Sequence, residues 1–280
     1  MENKSIIITN DDGIASPGLR AAVEAVLDMG EITVLAPSNQ QTGTGRALTG
    51  EMQSRLEPID YRVNGKSINA YHCKCSPAMI VRHSFRTILR ESRPDLLISG
   101  INYGENLGFN VTCSGTVGAA LEAASYGIKS LAISKQTDME SHLSYSDQNW
   151  EASKHFLRKF SERVLENNMQ PDVDVLKIDV PIDATPDTAW KITKLARCAY
   201  YYRKIEQPGI QTTLGDGKVA VKFDADSLDS NTDIYALAVG KIVSVTPLSL
   251  DMTSRIEPSD LKNVLNVDLN AVCNQTNLNP

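Results

Sequence analysis

Apolar residues in the first two-thirds of the chain alternate between short strand-like runs and longer stretches at helical spacing. Ser5–Thr9 (Ser-Ile-Ile-Ile-Thr) is the β-branched pattern of a buried strand, and the turn formers Asn10-Asp11-Asp12-Gly13 stop it. Gly18–Met29 places Leu19, Val23, Val26 and Leu27 at helical spacing, and Ile32–Ala36 reads as the next strand. Ser76 as N-cap and Pro77 at the first helical position open a helix over Pro77–Leu89. A strand at Leu96–Ser99, a helix at Thr116–Tyr126, a strand at Ser130–Ser134, a helix at Trp150–Leu165 and a strand at Val175–Val180 continue the series.

This alternation predicts an α/β fold with a Rossmann-like three-layer core, a parallel sheet covered on both faces and joined by right-handed crossovers. Ligands of such sheets bind beyond the carboxyl ends of the strands. Chemistry is therefore expected in the loops at 10–17, 37–50, 100–115 and 135–148. The last third changes character. Trp190–Leu195, Tyr200–Glu206, Val219–Phe223 and Ile234–Val245 read as strands with no helices between them, so hairpins are expected, with Gly215-Asp216-Gly217 as a turn. A short helix at Ser259–Leu265 and a polar tail, Asn274–Pro280, follow. The expected organisation is one domain over 1–280: a core at 1–181, a β-hairpin extension at 182–250 that joins subunits, and a C-terminal helix and tail at 251–280.

Composition narrows the partners. A net charge of −6, from 28 basic and 34 acidic residues with no long run of either sign, argues against a nucleic-acid polymer. It leaves a small phosphorylated substrate open, because one bound cation reverses the local field. No stretch approaches the roughly 20 apolar residues of a membrane helix, and the N-terminus lacks a signal-peptide layout, so no membrane partner is expected. Cys73, Cys75, Cys113, Cys198 and Cys273 are an odd number without framework spacing. They read as reduced thiols and fit the cytoplasm.

The strand-end loops carry the candidate chemistry. Asp11 and Asp12, adjacent at the end of the first strand, repel each other unless a cation lies between them, and a hard divalent ion takes such oxygens readily. An Asx turn starting the loop accounts for the same residues. In the second loop, Ser38-Asn39-Gln40-Gln41-Thr42-Gly43-Thr44-Gly45 offers hydroxyls, amides and glycines whose N–H groups can approach an anion; it also reads as a plain flexible loop. It is not a Walker loop. The third, Ser99-Gly100-Ile101-Asn102, leads to Ser114-Gly115-Thr116 at a helix start, which suits either an anion site or ordinary capping by Ser114. Gathered at one sheet edge, these groups suit a magnesium or manganese ion plus a phosphate. The four histidines show no ligand spacing for zinc.

At Thr9–Gly13 with Pro17-Gly18, Val34–Pro37, Ser99–Asn102 with Asn106–Gly108, and Ser114–Val117, the chain resembles the stationary-phase survival protein SurE family of 5′-nucleotidases. Ile133-Ser134, Val180-Pro181, Thr232-Asp233 and Val245-Thr246-Pro247-Leu248 extend the resemblance in the family's order. It implies one divalent metal ion per subunit (Mg²⁺ or Mn²⁺), held at positions that match Asp11, Asp12, Thr42 and Asn102. It also implies a phosphomonoesterase acting on small-molecule nucleotides, 3′-nucleotides and short polyphosphates included, assembled as a homodimer or homotetramer. Asp11, Asp12 and Asn102 are then the catalytic set, and Asn10, Gly43, Ser114, Gly115 and Thr116 the phosphate-binding one. Gln41 and Tyr103 stand where arginine is common, Thr42 where serine is expected, and Asn110 and Cys113 replace an acidic residue and a Tyr or His. Losing two guanidinium groups matters most, since Arg clamps phosphate in bidentate fashion.

The mechanism expected from this reading is in-line attack by water, with Asp12 as covalent nucleophile the alternative. Rival readings are a haloacid-dehalogenase-type phosphatase, whose Asp-x-Asp is here Asn10 and Asp12, a general phosphatase with little nucleotide preference, and a non-catalytic nucleotide or metal sensor.

Overall fold

The computed structural model describes residues 4–142 and 144–261. It falls into two units, the first ending at Leu250 and the second beginning at Asp251. In the second, the described part contains a 3₁₀ turn at Pro258–Leu261; the rest of the helix expected at Ser259–Leu265 and the tail Asn274–Pro280 lie outside the described residues.

The first unit opens with β1 (Ser5–Thr9), α1 (Pro17–Val26) and β2 (Glu31–Pro37). Three strands that the apolar pattern does not announce follow: β3 (Glu57–Pro58), β4 (Tyr61–Val63) and β5 (Lys66–Cys73). Next come α2 (Pro77–Arg86), β6 (Leu96–Tyr103), α3 (Gly115–Ala124), β7 (Ser130–Lys135), α4 (Glu151–Glu166) and β8 (Val175–Val180). β9 (Trp190–Ile192), β10 (Tyr201–Lys204), β11 (Lys218–Val221) and β12 (Val243–Leu248) complete the unit. The caps expected from sequence hold α2: the Ser76 hydroxyl accepts from the Met79 N–H and Pro77 occupies the first turn.

Ten strands form one sheet in the order β3-β5-β2-β1-β6-β7-β8-β12-β9, with β4 beside β5. From β5 through β8 neighbouring strands run parallel. Alternate side chains of β1 enter opposite layers. Ile6 and Ile8 pack with Leu19, Val23, Phe156 and Phe160 of α1 and α4, while Ile7 packs with Ile80, Val81 and Val117 of α2 and α3. Burying each isoleucine fully is worth about 1.5–3 kcal/mol, which explains why this strand is apolar on both faces.

The chain builds outward from β1 through β2 to β5, then returns to place β6 on the other side of β1. That reversal is the topological switch point, where a crevice opens beyond the carboxyl ends of the two flanking strands. Asp11 and Asp12 follow β1, and Asn102 lies at the end of β6.

The C-terminal extension is smaller than expected. Trp190–Leu195 and Ile234–Val245 do not form hairpins: β9 lies parallel to β12, β12 runs antiparallel along β8, and both extend the main sheet. Tyr235–Val239 is a helical turn instead of strand, with Ala236 and Leu237 buried. The reason is burial: β12 is covered along almost its whole length, so its apolar positions serve the core. Among the described residues, only β10 and β11 pair as an antiparallel ribbon outside the sheet.

Candidate active site

Asp11 and Asp12 are 5 % and 1 % exposed. Among the described residues neither makes an ion pair with Lys or Arg. Burial raises the Asp11 pKa, against the bond from the Thr116 hydroxyl and the backbone amides of the first turn of α3. Asp12 is pushed up to about 8, by burial first and by the Asp11 charge second. Two buried carboxylates that resist ionising together are what a divalent cation relieves. The residues present therefore fit the ion that the resemblance implies. Among the described residues no group of three or more His, Cys, Asp and Glu side chains could hold a metal. The remaining donors must be neutral oxygens.

Hydrogen bonds aim the pair. The Thr116 hydroxyl donates to Asp11 Oδ1, and the Gln41 N–H donates to the Asp11 carbonyl at 2.7 Å. Asp12 Oδ1 accepts from Gln40 Nε2 at 3.3 Å and Oδ2 from the Tyr103 N–H at 3.2 Å. The same Gln40 amide donates to the His142 carbonyl at 2.8 Å, and Tyr145 Oη donates to the Asp12 carbonyl at 2.7 Å. Loops two, three and four thus all close on the aspartates that follow β1.

Asn102 reaches the site through a bulge. The β6–β7 register shifts between Ser99 and Asn102, and Gly100 adopts φ +131° with Ile133 O only 2.2 Å from where a Cβ would stand. Only glycine fits there. The Asn102 amide nitrogen donates to Gly104 O at 2.6 Å, so its oxygen is the end left to ligate a cation.

The structure places the remaining expected site residues as follows. Thr42, placed as the ligating hydroxyl, is exposed on the loop. Thr44 turns inward instead, its Oγ1 bonded to Gln41 O at 2.9 Å. A Cβ on Gly115 would lie 2.8 Å from Asp11 Oδ2 and 3.0 Å from Thr44 Oγ1, so these two oxygens flank the same point. Asn10, placed on the phosphate, is fully buried and exchanges both ends of its amide with Gly13; it shapes the turn. Ser114 caps α3, accepting from the Val117 N–H at 3.1 Å. Thr116 and the Gly115 amide face Asp11. Gly43 is exposed at φ +79°, with its surroundings open.

The departures from the family pattern also find places. Gln41 contributes its backbone to Asp11. Tyr103 is buried, its ring 5.0 Å from Trp150 and its Oη on Ser146 O. Asn110 Oδ1 accepts from the Tyr200 and Tyr201 N–H groups at 2.7 and 2.9 Å, tying the segment before α3 to the root of the β10–β11 ribbon. Cys113 is exposed. Gln40 and Tyr145 were not singled out from sequence. Their contacts with Asp12 span 28 and 133 positions, and no local spacing signals them.

Comparison with known proteins identifies the family. The profile of the family described as "Survival protein SurE" matches residues 6–202. A protein of Thermococcus gammatolerans named 5′-nucleotidase SurE is 41% identical over 264 residues, covering 93% of this chain and 95% of that protein. One of the same name from Thermococcus kodakarensis is 37% identical, covering 93% and 98%. The crystal structure of the SurE protein from Aquifex aeolicus superposes with a TM-score of 0.73 at 28% identity, covering 93% of this chain and 99% of that one.

Proposed function

The chain belongs to the survival protein SurE family, and from that premise we propose that it is a divalent-metal-dependent phosphatase hydrolysing nucleoside 5′-monophosphates to nucleoside and phosphate. The observation that carries this is the buried Asp11–Asp12 pair at the switch point, which among the described residues has no ion pair with Lys or Arg. The same-named relatives support the nucleotide substrate.

In this reading Asp11, Asp12 and Asn102 hold one ion, with a threonine hydroxyl from the second loop. When bound, the ion supplies Lewis-acid stabilisation of the charge on the transferring phosphoryl group. Gln40 and the Tyr103 N–H fix both oxygens of Asp12, which supports a ligand's role for it over a nucleophile's. Water then attacks phosphorus in line, its oxygen joins the phosphate, the ester P–O bond breaks, and the leaving nucleoside oxygen gains the proton that the water gives up. The free amide of Gly43 is the group proposed to meet the phosphate. Reduced thiols at Cys73 and Cys75 suit a cytoplasmic enzyme, and no helix among the described residues is long and apolar enough to cross a membrane.

A phosphomonoester panel tests the reading: 5′- and 3′-nucleotides, tripolyphosphate and p-nitrophenyl phosphate, each with chelator, Mg²⁺ or Mn²⁺. Phosphate should appear only with metal, and fastest from 5′-nucleotides. Full activity after exhaustive chelation would sink the metal, and nucleotide binding without phosphate release would make the protein a sensor.

The hydroxyl ligand is separable by substitution. Thr44→Val and Thr42→Val keep shape while removing the oxygen, and Thr→Ser at either position keeps it. We expect Thr44→Val to raise the Mn²⁺ concentration for half-maximal activity about tenfold, the scale on which support of a metal site is felt. Thr42→Val should give a titration that superimposes on wild type. The reverse pattern would return the role to Thr42.

For assembly we propose a homodimer or homotetramer joined through the β10–β11 ribbon. Ile210 and Leu214, between its strands, are 97% and 92% exposed, and an isolated two-stranded ribbon is marginal in water. A monomer by light scattering at micromolar concentration would count against this.

A further inference from the structure

We propose that Tyr145 is the nucleobase platform of this site, stacking the purine or pyrimidine of a phosphomonoester whose phosphate lies at Asp11 and Asp12. The proposal rests on the phosphatase reading above and adds the residue that sets its preference for nucleotides over other phosphate esters.

Three observations carry it. Tyr145 is tied to the backbone of Asp12, its Oη donating to the Asp12 carbonyl. Its ring is braced from one side by Tyr103, with centroids 5.7 Å apart and planes tilted by 34°, and Tyr103 is in turn buried against Trp150. Yet Tyr145 keeps 45% of its surface exposed. A rigidly backed aromatic ring left open to solvent loses apolar burial unless something else covers it. A tyrosine ring is also about as long as the ribose that separates a 5′-phosphate from its base. An aromatic face anchored at the phosphate end and open along its length can therefore receive the base of a nucleotide seated at Asp12. Base–aromatic stacking tolerates every base, because each has a π-face. Phe109 is exposed too, but its N–H goes to Cys198 O, and among the described residues no hydrogen bond ties it to Asp11 or Asp12.

A pair of esters that differ only in the base tests this. With Mn²⁺ present, kcat/KM is measured for adenosine 5′-monophosphate and ribose 5-phosphate in wild type, Tyr145→Leu, Tyr145→Phe and Phe109→Leu. The wild type should prefer the nucleotide, and Tyr145→Leu should lower the nucleotide-to-sugar ratio about tenfold. Tyr145→Phe keeps the ring and should keep the ratio, whatever losing the bond to Asp12 does to both rates. Phe109→Leu should also leave the ratio where it was. A ratio unmoved in Tyr145→Leu, even with both rates reduced, would make Tyr145 a loop anchor only. An equal drop in Tyr145→Phe would assign the effect to the hydroxyl, and a wild type without nucleotide preference would leave no platform to explain. If the wild type releases phosphate from neither ester, the phosphatase reading fails. Calorimetric binding of adenosine, which needs no turnover, then decides the stacking, and unchanged affinity in Tyr145→Leu overturns it.

Discussion

Replacing Asp11 or Asp12 by Asn should lower metal-dependent kcat/KM by about a thousandfold or more while leaving the metal-free chain at least as stable as wild type. About 4 kcal/mol is the transition-state stabilisation a bound cation supplies, and each 1.36 kcal/mol is a factor of ten. The stability half follows from the same carboxylates. The Asp12 pKa is raised from 3.8 to about 8, chiefly by burial and then by Asp11. Between those values the folded chain keeps a proton that the unfolded chain has lost, so this group's contribution to stability falls as pH rises from about 4 to about 8. Metal-free wild type should therefore melt at progressively lower temperature across that window, and added Mn²⁺ should restore most at its upper end. Asp12→Asn cannot ionise, keeps one acceptor for Gln40 or the Tyr103 N–H, and should show a flatter profile. Full activity of either Asn variant at saturating metal would refute the assignment. So would a wild-type melting temperature that ignores both pH and metal.

The placement of the Asp11–Asp12 pair on which both expectations rest was half legible in the sequence. Ile6-Ile7-Ile8 can only be a strand covered on both faces, and once β1 is placed, Asp11 and Asp12 must lie at its carboxyl end. The helices α1, α2 and α4 were legible because each buries a regular stripe, and Ser76 and Ser114 mark the starts of α2 and of α3, which is buried almost all round. β5 was not, because Lys66-Ser-Ile-Asn-Ala-Tyr-His-Cys73 alternates weakly, with β3 and β4 covering only part of it. Side-chain type alone does not separate Thr42 from Thr44, because the inward turn at Thr44 depends on a bond to Gln41 O. Trp190–Ile192 and Val243–Leu248 show strand composition, but composition carries no information about which sheet a strand joins.

The buried charges of the core were the least legible feature, and they carry the largest expected loss of stability. Lys177, Asp179 and Asp233 are all 0% exposed, with the Lys177 ammonium bonded to Asp179 and to Asp233 Oδ2 at 3.2 Å. Burial opposes the Lys177 charge, and the two carboxylates more than offset it, so its pKa stands above the ordinary value. These carboxylates also hold backbone. Asp179 accepts from the Asn106 N–H at 2.8 Å, and Asp233 accepts from Gly108 at 3.0 Å and from Ala196 and Ile234 at 2.9 Å. The network therefore pins the segment that joins Asn102 to the start of α3. Lys177→Met keeps the stem and removes the charge, leaving two acidic groups buried without a partner. Breaking such an arrangement from one side costs about 3–5 kcal/mol, which for a chain of this size is a fall of roughly 10 °C or more in melting temperature. The deficit should shrink as pH falls, because the orphaned Asp179 carboxyl, raised by burial, takes up a proton on the way down and ceases to be charged. Activity should fall with it as Asn106 and Gly108 lose their anchors. A Lys177→Met melting temperature within 2 °C of wild type at pH 8, about 1 kcal/mol or less, would mean that the three charges do not share one buried network.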